Sequence, residues 1–262
     1  MDGRIPGLTS KSIVLIKALL KNLIKKLPFA FTLNQKYDGY TQQIIKRYCE
    51  PGSNCIDVGT HKGEILDLIL KAAPNGKHFG FEPIPVLYEE LKKKYSRNQN
   101  VFIHPYALSD KKGLSNFNYV LSNPAYSGLV KRKYDRKHED DVLIEVETER
   151  LDAIVDISLP LTLIKIDVEG GELGVLKGAE SILKKHLPII IFECGKSGSS
   201  FYGTTPEMIY SFLQQMGYSI YLMDDFLNGK PALTDKEFGR QFSEELNYYF
   251  VAGADRNIST KL

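Results

Sequence analysis

Cysteine is scarce in this chain: Cys49, Cys55 and Cys194 are the only three among 262 residues. They show neither CxxC spacing nor a Cys/His zinc pattern, and an odd count without a framework argues against a disulfide scaffold. Free thiols in a reducing compartment are the expectation. Cys55 and Cys194 stand in apolar, strand-like runs, where a small buried hydrophobe is the expected role. Apolar stretches of the ~20 residues needed to cross a bilayer are missing too. The nearest, "KSIVLIKALLKNLIKKL" over residues 11–27, is interrupted by Lys17, and no small-residue cleavage site follows, so a signal peptide is not expected. Charge of one sign is also lacking. A net charge of +2 argues neither for nor against a nucleic-acid partner, and none is expected here. There is no GxGxxG fingerprint and no Walker lysine motif, which disfavours an NAD-linked oxidoreductase and a P-loop nucleotidase.

What is present is the composition of an ordinary soluble globular protein, long enough for one large domain with a sizeable core. Residues 1–37 read as an N-terminal extension. Within it Ile13, Ile16, Leu20, Leu23 and Leu27 keep helical spacing, while Lys17, Lys21 and Lys25 make a cationic stripe. Such a helix either packs on the domain with its lysines solvated, or touches an anionic membrane surface or a lipid-linked acceptor. The expected location is cytoplasmic, with or without that peripheral contact.

From residue 53 onward the pattern becomes strand, turn, helix. "NCIDVG" (54–59), "HFGFEP" (78–83) and "VFIH" (101–104) read as strands, with helical periodicity at 63–73 and 86–95. Strands separated by helices predict parallel pairing and an open α/β sheet. Residues 113–149 break the alternation and predict an inserted β-hairpin or cap over the sheet's carboxyl edge, where ligands bind in such folds. "LTLIKID" (161–167) resumes the sheet, a helix follows at 171–185, and "PIIIFECG" (188–195) is a fifth strand. After a helix at 206–216 come "YSIYLM" (218–223) and "NYYFVAG" (247–253), with no convincing helix between them, which predicts an antiparallel hairpin at the sheet edge.

The chemistry gathers at strand ends. In "DVGTHKGE" (57–64), glycine after a strand permits a tight turn and close approach to a ligand, and the next helix N-terminus suits an anionic group. Glu82 closes the second strand, where an acid can accept both hydroxyls of a ribose. "HPYALSD" (104–110) leaves the third strand where an adenine would lie, with the small Ala107 as its shelf. A loop, a ribose acid and a base shelf without a pyrophosphate clamp fit S-adenosylmethionine better than NAD. The remaining concentration of acid is in "IKIDVEGGE", where Asp167, Glu169 and Glu172 follow a buried strand. Glu172 suits the first turn of a helix, complementing its dipole. His61 and His104 stand in ligand-edge loops, with a solvent-facing His61 expected, and His78, His138 and His186 look peripheral.

"IKIDVEGGELGVLKGAE", together with "IDVGTHKG", "GFEP", "ALSD", "RLDAIV" and "FECG" in this order, resembles the FkbM-type methyltransferases over roughly residues 38–253. The first loop departs from that family's commoner Asp-Val-Gly-Ala-Asn-x-Gly by carrying Thr60, His61 and Lys62. The resemblance implies a Rossmann-like class I methyltransferase fold over residues 38–262, mostly parallel with an antiparallel last strand. It implies S-adenosylmethionine as cofactor and S-adenosylhomocysteine as product, and O-methylation of a hydroxyl on a small molecule or glycan: a sugar in a glycan, glycolipid or natural product. Cofactor contacts are expected from Asp57, Gly59, Thr60, His61, Gly63, Glu82, Pro83, Ala107 and Asp167. Catalytic roles are expected from Asp167, Glu169 and Glu193, with Asp167 near Gly59. It could hold the acceptor hydroxyl, polarise it, or ligate a metal that does so. No metal-ligand set is assigned, because nothing in the sequence indicates a divalent ion. A partner-binding module that kept the sheet and lost catalysis is the alternative, and acids at both Glu82 and Asp167 argue against it.

Overall fold

Burial decides the strands. Cys55–Val58 (β1) and Leu163–Ile166 (β7) are buried at every position, and they pair in parallel with Asp57 opposite Lys165. The structure is a computed structural model that describes residues 32–133 and 139–254. The basic helix expected over 11–27, and His138, lie outside the described residues. The helix Leu33–Tyr48 runs through the boundary expected at residue 38. By its contacts the chain divides into a unit up to Tyr40 and a unit from Thr41, and the elements that follow belong to the second.

The remaining strands are His78–Phe81 (β2), Val101–His104 (β3), Ala107–Leu108 (β4), Gly113–Val120 (β5), Asp141–Glu149 (β6), Ile189–Glu193 (β8), Ser219–Leu222 (β9) and Tyr249–Gly253 (β10). Seven of the ten strands among the described residues form one sheet in the order β3-β2-β1-β7-β8-β10-β9. All its pairings are parallel except those of β10, which runs antiparallel to both β8 and β9. Strand order therefore reverses between β1 and β7, the crevice where open α/β sheets bind ligands. Ile56, Val58, Ile164, Ile166, Ile190, Phe192, Phe250 and Ala252 share the main apolar cluster with helix residues Leu176, Ile209 and Phe238. Asp57, Lys165 and Tyr249 belong to the opposite set of alternate positions, because successive side chains on a strand point to opposite faces.

The insertion is a hairpin: β5 pairs antiparallel with β6 from Gly113↔Thr148 to Val120↔Asp141, and β4 adds to β6 as a third strand. Two expectations need correction. The helix expected at 171–185 is two helices, Glu172–Gly178 and Glu180–His186. They break at Gly178, where a Cβ would lie 2.1 Å from the Ser109 carbonyl oxygen. Between β9 and β10, where no helix was expected, stand Met223–Leu227 and Asp235–Ser243. The second starts at a reciprocal cap between Thr234 and Glu237 and buries Phe238 and Phe242, four positions apart on one face of an otherwise polar segment. That helix carries the chain back so that β10 enters between β8 and β9, leaving β9 as the edge strand.

Candidate functional site

The loop after β1 and the acid after β2 form one hydrogen-bonded unit. Gly59 N–H and Thr60 N–H both donate to the Phe81 carbonyl at 3.0 Å, and Thr60 Oγ1 donates to the Asp57 carbonyl at 2.8 Å. Glu82 answers from the other side: its Oε2 accepts the His61 N–H at 2.8 Å and its Oε1 the Ile84 N–H at 2.9 Å. Each oxygen keeps a further lone pair. Burial pushes the Glu82 carboxyl up to about 7, against the pull of those two backbone donors. Asp57 is also buried, and its pKa is raised to about 6 by that burial despite the nearby Lys165 charge. Neither of its carboxylate oxygens has a hydrogen-bond partner.

The expected neighbourhood of Gly59 and Asp167 is present. Asp167 N–H donates to the Val58 carbonyl at 3.1 Å, and a Cβ at Gly59, whose φ is 78°, would lie 1.9 Å from the Asp167 carbonyl oxygen. Only glycine lets the two strand ends approach so closely. His61 is half-buried rather than solvent-facing, with φ 49° and an enclosed Nε2. Its pKa is lowered by burial and then by Lys62, which favours the neutral ring. His104 stacks on Phe81 at a centroid distance of 5.1 Å. Ala107 lies in a buried cluster with Ile84, Leu87, Phe117 and Val146, under the hairpin. Half-buried Pro83 links Glu82 to the helix Pro85–Tyr95. His78 is no peripheral residue: it is fully buried, with Nε2 2.7 Å from the Ala73 carbonyl oxygen, at the strand end opposite Glu82.

On the other side of the switch point the acids separate into roles. Glu172 is fully buried, and its Oε1 accepts the N–H groups of Val168 and Gly170 at 3.1 Å. It ties down the turn that carries the other two, a structural duty. Asp167 receives Lys165 Nζ at 2.9 Å and the Tyr249 hydroxyl at 2.5 Å, both on Oδ2. Burial alone would raise its pKa, but the Lys165 charge and these donors hold it below the ordinary carboxylate range. Glu193, at the end of β8, is the cross-strand neighbour of Tyr249. Burial, reinforced by the neighbouring carboxylates, pushes Glu169 and Glu193 well above their ordinary values. Asp167, Glu169 and Glu193 each offer an oxygen within 4.8 Å of the others, close enough to share a divalent cation.

The hairpin insertion closes onto this group. Arg132, from the polar segment between β5 and β6, pairs with Glu169 and rests on the Tyr126 ring, its guanidinium carbon 4.8 Å from the centroid. Glu169 itself has φ 60°, a left-handed conformation costing roughly 1–2 kcal/mol. Val130 N–H donates to the Tyr202 hydroxyl at 3.2 Å, a second tie between the cap and the sheet edge. Sequence reasoning passed over three residues of this site: Lys165, Tyr249 and Arg132. Only Lys165 carried a local signal, standing two positions before Asp167 and so on the same strand face.

A family model described as a methyltransferase FkbM domain matches residues 57–220. Methyltransferase sdnD of Sordaria araneosa is 27% identical over 154 residues, which is 48% of this chain and 60% of that protein. Among solved structures, methyltransferase FkbM from Methylobacillus flagellatus KT aligns with a TM-score of 0.48 and 14% identity, over 93% of this chain and 60% of that one. A SAM-dependent methyltransferase from Aquifex aeolicus aligns at 0.41 and 12% identity, over 81% of this chain and 87% of that one. The chain thus spans 60% of the length of each of the first two relatives.

Proposed function

This chain belongs to the FkbM methyltransferase family, and from that premise we propose that it moves a methyl group from S-adenosylmethionine to a hydroxyl oxygen of a sugar in a glycan, glycolipid or natural product. The observation that carries this reading is the contact between two strand ends: the Gly59 loop meets the Asp167 backbone with no room for a Cβ. A donor held by the loop and an acceptor held by the acids would therefore be neighbours.

The residues present fit the cofactor. Glu82, fixed by two backbone donors, has lone pairs left for two ribose hydroxyls, and the glycine at 59 lets the backbone approach closely. Asp57, Thr60, His61 and Gly63 complete the loop, with Pro83 and Ala107 beyond Glu82. When bound, the cofactor supplies a methyl group on a positively charged sulfur. The chain's own residues provide alignment and hydrogen-bond acceptors. The Asp167 carboxylate, held below the ordinary range, is an acceptor suited to a hydroxyl that must give up its proton, with Glu169 and Glu193 beside it. The sugar itself rests on the family resemblance. Incubating the protein with methyl-labelled S-adenosylmethionine and a cell extract, then finding the labelled compound by mass spectrometry, tests the whole reading. Label on nitrogen or carbon would overturn the hydroxyl assignment.

Glu82→Ala is expected to weaken S-adenosylhomocysteine binding by about 1.5–3 kcal/mol, the scale of hydrogen bonds to a charged group. Calorimetry reads this directly. Unchanged affinity in a folded variant would remove Glu82 from the cofactor site. For residues 11–27 we propose peripheral contact with an anionic membrane. Replacing Lys17, Lys21 and Lys25 by glutamate should abolish salt-sensitive binding to anionic vesicles. If the unaltered protein does not bind such vesicles at low salt, the segment has no membrane role.

A further inference from the structure

We infer that Tyr249, on the last strand, is a positioning residue for the transfer step, selecting which oxygen of Asp167 meets the acceptor. The inference rests on the reading that Asp167 faces the acceptor hydroxyl. Tyr249 lies 82 positions beyond Asp167 in the chain and two strands away across the sheet, since β8 stands between β7 and β10. Its hydroxyl nevertheless reaches Asp167 Oδ2 at 2.5 Å, where Lys165 Nζ already donates at 2.9 Å.

Two donors on one oxygen have a directional consequence. A carboxylate has about two acceptor positions on each oxygen. With Oδ2 engaged twice, Oδ1 has the more acceptor room for an incoming hydroxyl, beside Glu193, whose side chain also hydrogen-bonds Asp167. Lys165 alone cannot fix that choice, because its ammonium is a compact charge on a flexible stem and can follow either oxygen. The phenol is attached to a rigid ring, and the backbone beneath it is pinned: Cys194 N–H donates to the Tyr248 carbonyl at 2.7 Å, and Tyr249 stands opposite Glu193 in the β8–β10 register. The alignment of acceptor oxygen and methyl carbon, on which displacement depends, is thus set partly from two strands away.

The test is a double-mutant cycle of Tyr249→Phe and Asp167→Asn, which keep ring and shape. The assay is the initial rate of methyl incorporation from labelled S-adenosylmethionine into the acceptor fraction of a cell extract, at varied cofactor concentration. Tyr249→Phe should lower kcat roughly 10- to 100-fold, the scale of one hydrogen bond to a charged group, while KM for the cofactor and S-adenosylhomocysteine affinity stay within about twofold. In the Asp167→Asn background the same change should alter the rate less than about twofold, because the two residues act as a unit. Equal losses in both backgrounds, or a parallel loss of S-adenosylhomocysteine affinity, would make Tyr249 structural. A large loss in Asp167→Asn with unchanged turnover in Tyr249→Phe overturns this inference alone. Near-normal turnover in Asp167→Asn overturns the acceptor reading and this inference with it.

Discussion

Lys165→Met is expected to destabilise the protein by about 3–5 kcal/mol at pH 8, the cost of removing one partner from a buried charge group. Lys165 is buried in β7, opposite Asp57 on β1 and two residues before Asp167. Burial works against its charge, but the attraction of Asp167 and Asp57 raises its pKa in balance. Methionine would keep most of the volume and leave two carboxylates facing each other without a cation. Asp57 would suffer most, since neither of its oxygens is hydrogen-bonded.

The deficit should depend on pH in a definite direction. The Asp57 pKa, already about 6 in the folded chain, lies above its unfolded value, so folding favours its protonated form. Stability linked to such a group is present at low pH and is lost as pH rises through the folded pKa. Without Lys165 that folded value climbs further and the penalty at pH 8 grows. At pH 5 Asp57 is mostly protonated in either protein, so the part of the deficit that comes from Asp57 should shrink there, while the part from the pair with Asp167 remains. Urea denaturation at the two pH values measures this, and Asp57→Asn added to Lys165→Met should restore part of the loss at pH 8. A deficit equal at both pH values would mean that the loss comes from the pair with Asp167 or from packing of the lysine stem, and not from Asp57.

The contrast between Lys165 and Glu82 shows what was legible in the sequence. Glu82, Gly59 and Asp167 each end a short apolar strand, and a strand end in an α/β sheet has a fixed relation to the ligand crevice. Their places at the ligand edge therefore followed from the alternation of strands and helices, while the nearness of Asp167 to Gly59 came from the sheet order that the family resemblance implies. Lys165 stands inside the apolar run "LIKID", where one charge is easily passed over; the i, i+2 spacing to Asp167 was its only mark. Tyr249 had none. Its partner is fixed by β10 entering beside β8, which depended on the helix Asp235–Ser243 between β9 and β10 that was not expected. Arg132 lies between two exposed lysines in a polar segment, and only the folded hairpin shows that it turns inward to Glu169. Of the three carboxylates around the two glycines, Glu172 is structural, Glu169 meets the cap, and Asp167 adjoins the Gly59 loop.

Asp167→Asn is expected to cut turnover at least a hundredfold while leaving S-adenosylhomocysteine affinity within about threefold, because a positioned carboxylate assists loss of a hydroxyl proton by roughly 10²–10⁴-fold. Asparagine keeps the shape and one acceptor oxygen, but it replaces a charge held by Lys165 and Tyr249 with a neutral amide. Methyl transfer is an in-line displacement in which the acceptor oxygen must lie close to the methyl carbon and aligned with it. Asp167 is the acid whose own backbone touches the Gly59 loop, so its loss should fall on the acceptor's reactivity and leave the cofactor's grip intact. Divalent metal divides the remaining options. Asp167, Glu169 and Glu193 can converge on one ion, and in that case chelation should silence the unaltered protein and added magnesium or manganese should partly rescue Asp167→Asn. If chelator and metal leave the unaltered rate unchanged, the carboxylate acts on the hydroxyl directly. Near-normal turnover in Asp167→Asn would make the charge in "IDVEGGE" structural throughout, and the proton of the acceptor would have to leave through another group.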